Sequence, residues 1–544
     1  MADNRVDPAG SVPAEQPKAK RAATIDDGLQ KPGDVIINQL LLNTVSSEFS
    51  IDLKPYMMEI HLYEDIFSPT LQGSVVIRDA INLIGKLPII GDEILTVDIQ
   101  TPWGDLAGEN KSNLGSFDPL NKIQKSFSVY AVKNRKLNND REQYYQLFFC
   151  SIEASTDNII RLSQKYEGTT DEIAFKIFEE NISTPRIFTN KQAVDDTDDK
   201  TQLFIADTPH SSVITFVPPM WSPIQTINWL AKRCIGSEYK SPNFLFFETT
   251  KAFYLSSIEE LVAYQLENNQ IYSDYVYHPN IDNLDTTSSL SKGFATVEAM
   301  NFLTNLDIIQ SQDLGHFAST VHSFDLVKKD YTQYTYDHGF NFNGTPENPT
   351  KHMESYKFVA DSQGAGSFQY DETRKFNMIY PMNVLRSGDN RPFVSTVNPG
   401  VLDSTEDSID LHPEQFVAQR NSSLMDITTM RLQLTVPGRT DIEVGRLIRF
   451  YYPSVGEKNV KDDSEATIWD ILISGIYMVT AIHHQITPFR HTMFIEIAKD
   501  SYAQPLYDVE DGEPETPETA PTAPAATPAP ATTPIATPAA KPTT

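Results

Sequence analysis

A chain of 544 residues has room for about three or four folding units at roughly 150 residues each. Its 73 Asp+Glu against 44 Lys+Arg give a net charge of −29, which excludes a nucleic-acid-binding surface as its main property, because phosphate binding needs a basic footprint and counterion release. With 40% hydrophobic and 10% aromatic residues it is not an acidic disordered chain, and two cysteines, Cys150 and Cys234, exclude a disulfide framework or a thiolate zinc cluster. Both cysteines lie in apolar runs and read as buried, reduced thiols. No apolar run reaches 18 residues, so no membrane span is expected, and the N-terminus lacks the apolar stretch of a secretory signal.

Residues 1–34 are polar, rich in Pro and Ala and without periodicity, and are expected to form a disordered, solvated arm. Residues 35–155 predict a first β domain. Phe49, Ile51 and Leu53, then Met58, Ile60 and Leu62, alternate with polar residues, the period-two mark of half-buried strands. Runs at 71–80, 92–101, 125–136 and 142–154 repeat the pattern at spacings that suit an antiparallel barrel or sandwich. Between them AINLIGKLPIIGDE predicts a short helical turn stopped by Gly85 and Pro88.

Residues 156–310 predict an α/β insert. Thr169 and Glu172 form a capping box ahead of Ile173, Ile177 and Phe178. Ser222 and Pro223 supply an N-cap and a first-turn proline for a helix carrying Ile224, Ile227, Ala231 and Cys234, stopped at Gly236. The run 243–261 then predicts a β-hairpin turning at Thr250–Lys251.

Residues 311–508 predict a second β domain. HFASTVHSFDLV and YTQYTYDH read as strands, 339–412 as a loop-rich insertion, and 412–426 as a helix. MRLQLTVPG, TDIEVGRLIRFYYPS, SGIYMVTAIHHQI and HTMFIEIAKDS close the domain as a compact barrel with turns at VPGR and EVG. From 509 to 544 an acidic start passes into a Pro/Ala/Thr tract, expected to be a disordered, extended spacer. Setting both termini aside leaves a charge of about −24 on the body. The fold class is mainly β with an α/β insert: two antiparallel β-barrel domains, a helix–hairpin unit between them, and disordered termini.

His483, His484 and His491 invite a metal reading, but adjacent strand residues face opposite ways and no carboxylate stands at an H-E-x-x-H offset. His316 and His322 lie an even interval apart on a predicted strand, with no third ligand in view. The run DDTDDK at 195–200 lacks the Gly and terminal Glu of a calcium loop and reads as solvated charge. Trp221, Trp229 and the FLFF run fit helix–hairpin packing better than a ligand cradle. No nucleophile elbow or phosphate-binding glycine loop occurs, so no catalytic, cofactor-binding or metal residues are assigned and no cofactor is expected.

Two stretches carry a resemblance. VPGRTDIEVGRLIRFYYPS, SGIYMVTAIHHQI and MFIEIAKDS, with Pro437, Gly438, Gly445, Phe450, Gly475, Tyr477 and Val479 at matching places, look like the closing domain of the central baseplate hub proteins of contractile-tailed phages. The unit PIQTINWLAKRCIGSEYKSPNFLFFETTKAFYLSSIEEL and the segment LQGSVVIRDAINLIGKLPIIGDEILTVDIQTP are similar to other parts of the same family, so the likeness spans roughly 49–505. The arm, the 339–412 stretch and the tail depart from it. The resemblance implies two tube-like barrels per chain and a homotrimer that adapts a six-fold tail tube to a three-fold spike. The implied partners are the tail-tube protein, the central spike or tail lysozyme, the tape-measure protein and baseplate wedge proteins. DNA would pass through the channel without specific binding. The implied location is the virion tail baseplate, after synthesis in the host cytoplasm. The alternatives are the hub of a bacterial contractile injection system, which the lack of β-helix repeats disfavours in its spike-fused form, and a secreted β-rich protein that binds carbohydrate or cleaves glycosides.

Overall fold

The computed structural model describes residues 32–44, 50–86, 89–91, 93–101, 122–139, 142–183, 201–205, 214–237, 241–268, 270–277, 293–305, 307–325, 330–338, 356–357, 376–381, 396–397, 413–454, 469–470 and 472–502. The expected N-terminal arm up to residue 31, the acidic run at 195–200, most of 339–412 and the Pro-rich tail lie outside the described residues. Among the described residues the protein is mainly β, with 25 strands and seven helices.

The first body is built from neighbouring segments. Its strands are β1 (Ile36–Thr44), β2 (Ser50–Asp52), β3 (Met57–Asp65), β4 (Gln72–Asp79), β5 (Glu93–Gln100), β6 (Lys122–Asn139) and β7 (Glu142–Ser151). They pair antiparallel in the order β2-β1-β5-β6-β7-β4-β3. The alternation read from the sequence is a face alternation here. Leu95, Val97 and Ile99 of β5, Val75 and Ile77 of β4, and Tyr145, Leu147 and Phe149 of β7 all enter one core. The short helix α1 (Leu83–Lys86) runs through Gly85 rather than stopping there, because Asp79 accepts from the amides of Leu83 (2.7 Å) and Ile84 (3.4 Å) and fixes its first turn.

The insert follows. It comprises α2 (Ile152–Asp157), β8 (Tyr166–Gly168), α3 (Thr170–Asn181), β9 (Leu203–Ile205), β10 (Ile214–Phe216), α4 (Pro223–Ala231), β11 (Phe244–Glu248), β12 (Phe253–Ser257) and α5 (Ile258–Glu267). The capping box at Thr169 and the Ser222 cap with Pro223 are formed as expected. The hairpin pairs Glu248 with Phe253 around Thr250–Lys251. It ends at Ser257, whose hydroxyl accepts from the Glu260 amide at 3.2 Å and starts α5, so the segment expected to be all hairpin closes as a helix.

The second body draws strands from distant segments: β13 (Asp274–Tyr277), β14 (Thr296–Val297) and β15 (Ala299–Asn305), then β21 (Met430–Pro437), β22 (Leu447–Tyr451), β23 (Gly475–Ile486) and β24 (His491–Lys499). Between the two groups, α6 (Ile308–Asp313) leads to a separate sheet of β16 (Ala318–Asp325), β17 (Asp330–Asp337), β19 (Phe376–Pro381) and β20 (Thr396–Val397). Helix α7 (Pro413–Ile427) packs Ala418 against Val321, Tyr334 and Tyr336 of that sheet. The short β18 (Tyr356–Lys357) pairs with β25 (Ser501–Tyr502). The two strands expected to open the second barrel are thus β16 and β17, in a sheet of their own.

Two separate barrels were the expectation; a single 14-stranded sheet joins both bodies, and no uninterrupted closed barrel is present among the described residues. The junction is β23. Its first residues pair with β22 (Leu447–Phe450 with Gly475–Met478), its last six pair with β3 (Ala481–Ile486 with Ile60–Asp65), and β24 lies along its other edge. Twelve residues are enough for one strand to serve two bodies. In the second body the pairing runs β13-β22-β23-β24-β21-β15, and Glu298 alone separates β15 from β14, which pairs back onto β13.

Candidate assembly site: the seam and the protruding arm

Where β3 meets β23, each body lends the other an apolar side chain. Ile66 enters the core of the second body and Ile486 that of the first. Adjacent histidines on β23 face opposite ways, as strand geometry requires. His484 is buried, 3.5 Å from Glu64 and, through Nδ1, 3.0 Å from Nε2 of the buried His491. His483 is half-buried on the other face. It lies 3.0 Å from His61 Nδ1 and stacks on Tyr63 and Phe494, while Glu59 stands 3.3 Å from His61. Burial, then repulsion from His484, holds His491 well below the usual imidazole range. Burial, then His61 and His484, lowers His483 to about 4.

The loop after β21 binds the parts together. Gly438 lies so close to the His491 ring that a Cβ there would sit 2.0 Å from it, so only glycine fits. Arg439 is buried and forks onto Asp441 (Nε–Oδ1 3.0 Å, Nη2–Oδ2 2.7 Å) while donating to Ser273 Oγ at 2.8 Å. Tyr272 donates to the same carboxylate at 2.8 Å, and Thr440 meets Thr101 of the first body (amide to Oγ1, 3.0 Å). Burial alone would raise the Asp441 carboxyl, but Arg439 beside it holds it below the ordinary carboxylate range. Gly445, at φ +83, makes the turn into β22. The run TDIEVGRLIRF, expected to turn at EVG, does so at Gly445: it is a buried polar loop up to Arg446 and a strand from Leu447.

The insert is tied to the first body through Glu248. Its fully buried carboxylate accepts from Lys125, from Ser151 Oγ and from the Leu71 amide (2.8 Å). Burial raises the Glu248 carboxyl and Lys125 opposes that shift. Lys251 reaches Glu443 of the buried loop at 2.5 Å.

The strongest exposed feature is the outer part of β6 with β7. Strand β6 carries five basic residues and no acidic one, in a chain of net charge −29. Its inner half pairs with β5 up to Ser128; beyond that it pairs with β7 alone, through three register shifts. Lys133, Arg135 and Lys136 are exposed there, as are Tyr130 and Leu137, the latter at 72%. At the turn between β23 and β24 Phe489 is 86% exposed.

The remaining singled-out residues fall as follows. His316 precedes β16 and His322 lies within it with Nδ1 2.7 Å from the Tyr331 hydroxyl, so the two do not share a site. Phe216 stacks on Trp229 at the edge of the insert's core, Trp221 meets Trp229 at a tilt of 51°, and the Arg233 guanidinium lies 3.9 Å over Trp229. Cys234 is buried; Cys150 is only partly so, its thiol raised to about 11 by burial. Arg439, Asp441 and Glu248 were not singled out in the sequence, where nothing separates a buried charge from the many solvated ones.

A mainly β scaffold of two bodies joined through one strand is the class the structure defines. Solved structures that align with it include phage-related tail proteins and a type VI secretion component. A tail protein from Neisseria meningitidis MC58 aligns over 85% of this chain and 96% of its own, at TM-score 0.43 and 10% identity. The 43 kDa tail protein of prophage MuSo2 from Shewanella oneidensis aligns over 85% and 99%, at TM-score 0.42 and 9% identity. A component of the E. coli type VI secretion system, described as structurally similar to bacteriophage T4 tail proteins gp27 and gp5, aligns over 86% and 77%, at TM-score 0.34 and 8% identity. At these values the likeness gives this chain no partner and no activity. No protein-family model and no curated protein matches the sequence.

Proposed function

We propose that this chain is a structural protein of a phage tail: a baseplate hub that forms a homotrimeric ring on the tail axis, joins the tail tube to the central spike and lines the channel for genome ejection. The observation that carries the reading is the sharing of β23. One chain holds two mainly antiparallel β bodies in a fixed relation, and three such chains present six bodies, which suits an adaptor between six-fold and three-fold partners. The basic outer part of β6–β7 on an otherwise acidic molecule supports self-association around a closed ring, since complementary patches steer encounter and fix register. Closure would also cover free strand edges that otherwise invite open-ended aggregation. The charge of about −24 on the body suits a channel wall that DNA slides past.

The proposed partners are the tail-tube protein, the spike or tail lysozyme, the tape-measure protein and the wedge proteins, with the virion baseplate as the location. The test is docking. The purified chain, mixed with assembled tail tubes of the same phage and imaged in negative stain, caps one tube end with a three-fold ring. Tube ends left bare at micromolar protein overturn the reading.

A further inference from the structure

Three side chains far apart in sequence meet where α7 ends against the β16–β17 sheet. His316 stands just before β16, His338 just after β17, and Asp426 in the last turn of α7. Both imidazoles are buried, at 4% and 3% exposure. His316 Nε2 lies 2.8 Å and His338 Nε2 3.4 Å from the same carboxylate oxygen, Asp426 Oδ1, and the three donor atoms all fall within 4.8 Å of one another.

The hydrogen bonds around the cluster fix which His338 nitrogen is which. The Ser422 hydroxyl donates to the His316 carbonyl at 2.7 Å, because a carbonyl can only accept. Its proton committed, Ser422 Oγ accepts from His338 Nδ1 at 3.0 Å. The Nδ1 therefore carries the ring proton, and in the neutral ring Nε2 presents its lone pair to the carboxylate. Two electron-rich atoms held 3.4 Å apart in a buried site need a positive charge between them. A divalent cation supplies it. Tetrahedral zinc with bonds of about 2.0–2.1 Å places its ligand atoms about 3.3 Å apart. The 3.4 Å between His338 Nε2 and Asp426 Oδ1 matches that spacing, whereas the 2.8 Å between His316 Nε2 and the same oxygen is a direct hydrogen bond that an ion would open by about 0.5 Å. The buried, hydrogen-bonded Ser422 is the outer partner that orients a ligating imidazole.

We propose that His316, His338 and Asp426 form a site for a divalent first-row transition metal, with a further coordination position left to water. The donor set, two imidazoles and one carboxylate, suits zinc, cobalt or iron(II) and not calcium or magnesium. The ion would clamp α7, which leads directly into β21 of the second body, onto the β16–β17 sheet. The role is structural, and binding would raise the stability of the folded chain by mass action.

The test uses the untagged full-length protein, stripped with chelator and titrated with ZnCl2 and, separately, CoCl2. The expected result is one equivalent bound per chain, visible d–d bands with cobalt, and a higher Tm. His338→Ala and His316→Ala should weaken zinc binding at least 100-fold. Ser422→Ala, which removes no ligand and is less prone to misfolding, should weaken it about 10- to 100-fold. His322→Ala should bind as wild type. Stoichiometric binding untouched by His338→Ala and Ser422→Ala overturns the proposal. So does the lack of any binding, or a Tm that rises on acidification with no response to either metal, which would give the position to a proton.

Discussion

The two β bodies share a mainly antiparallel design, except that β13 of the second pairs parallel with β14 and β22, and they are unlike in how the chain builds them. The first is assembled from consecutive segments between Ile36 and Ser151, and its core is apolar side chains on alternate positions. The second collects strands from 274–305 and 430–499, and at its centre Arg439, Asp441, Ser273 and Tyr272 form a buried polar knot. Local pairing needs only the hydrophobic alternation, whereas segments brought together over long stretches need contacts that tell the right partner from a wrong one. The knot reaches from the loop after β21 to the residues entering β13, and through Thr440 to Thr101 of the first body.

The comparison can be broken by substitution. Asp441→Ala leaves the Arg439 guanidinium buried and unpaired and is expected to cost about 3–5 kcal/mol, read as a lowered denaturation midpoint. Arg439→Met with Asp441→Leu should cost far less, because a buried pair replaced by apolar groups is often near neutral. A double variant as unstable as the single would show that the knot does more than satisfy itself. Gly438→Ala forces a methyl into the His491 ring and should cost about 1–3 kcal/mol, against less than about 0.5 kcal/mol for an exposed substitution on the arm.

The seam gives a smaller, pH-dependent effect. His483 titrates in the folded chain at about 4 and His491 well below its ordinary value, so the unfolded chain takes up protons first as pH falls. Their contribution is complete above the ordinary imidazole range, near about pH 6.5, and falls away below it, that of His483 down to about pH 4. Tm should fall over that window, and His483→Gln should flatten the fall. A Tm that rises from pH 7 to 5 contradicts the assignment. The smallest effect on stability belongs to the arm. Lys133→Glu, Arg135→Glu and Lys136→Glu together should leave Tm nearly unchanged while abolishing ring formation.

The first body was legible because its strands are successive and alternate cleanly, as in Glu93–Gln100, buried at every second residue. The capping box at Thr169 and the Ser222–Pro223 start were legible because they are local signals. The joining of two bodies through β23 was not, since a twelve-residue strand with two partners on one edge looks like any other apolar alternation. Nor was the His316–His338–Asp426 cluster. His316 and His338 stand 22 residues apart and Asp426 a further 88, so only the packing of α7 on β16 and β17 makes them neighbours.

The central claim is that one chain supplies two joined β bodies to a three-fold ring. Cryo-electron microscopy of the purified full-length chain tests it directly: the account predicts particles with three-fold symmetry and six similar β bodies around one axis. Monomers at every concentration, or rings of any other order, contradict it.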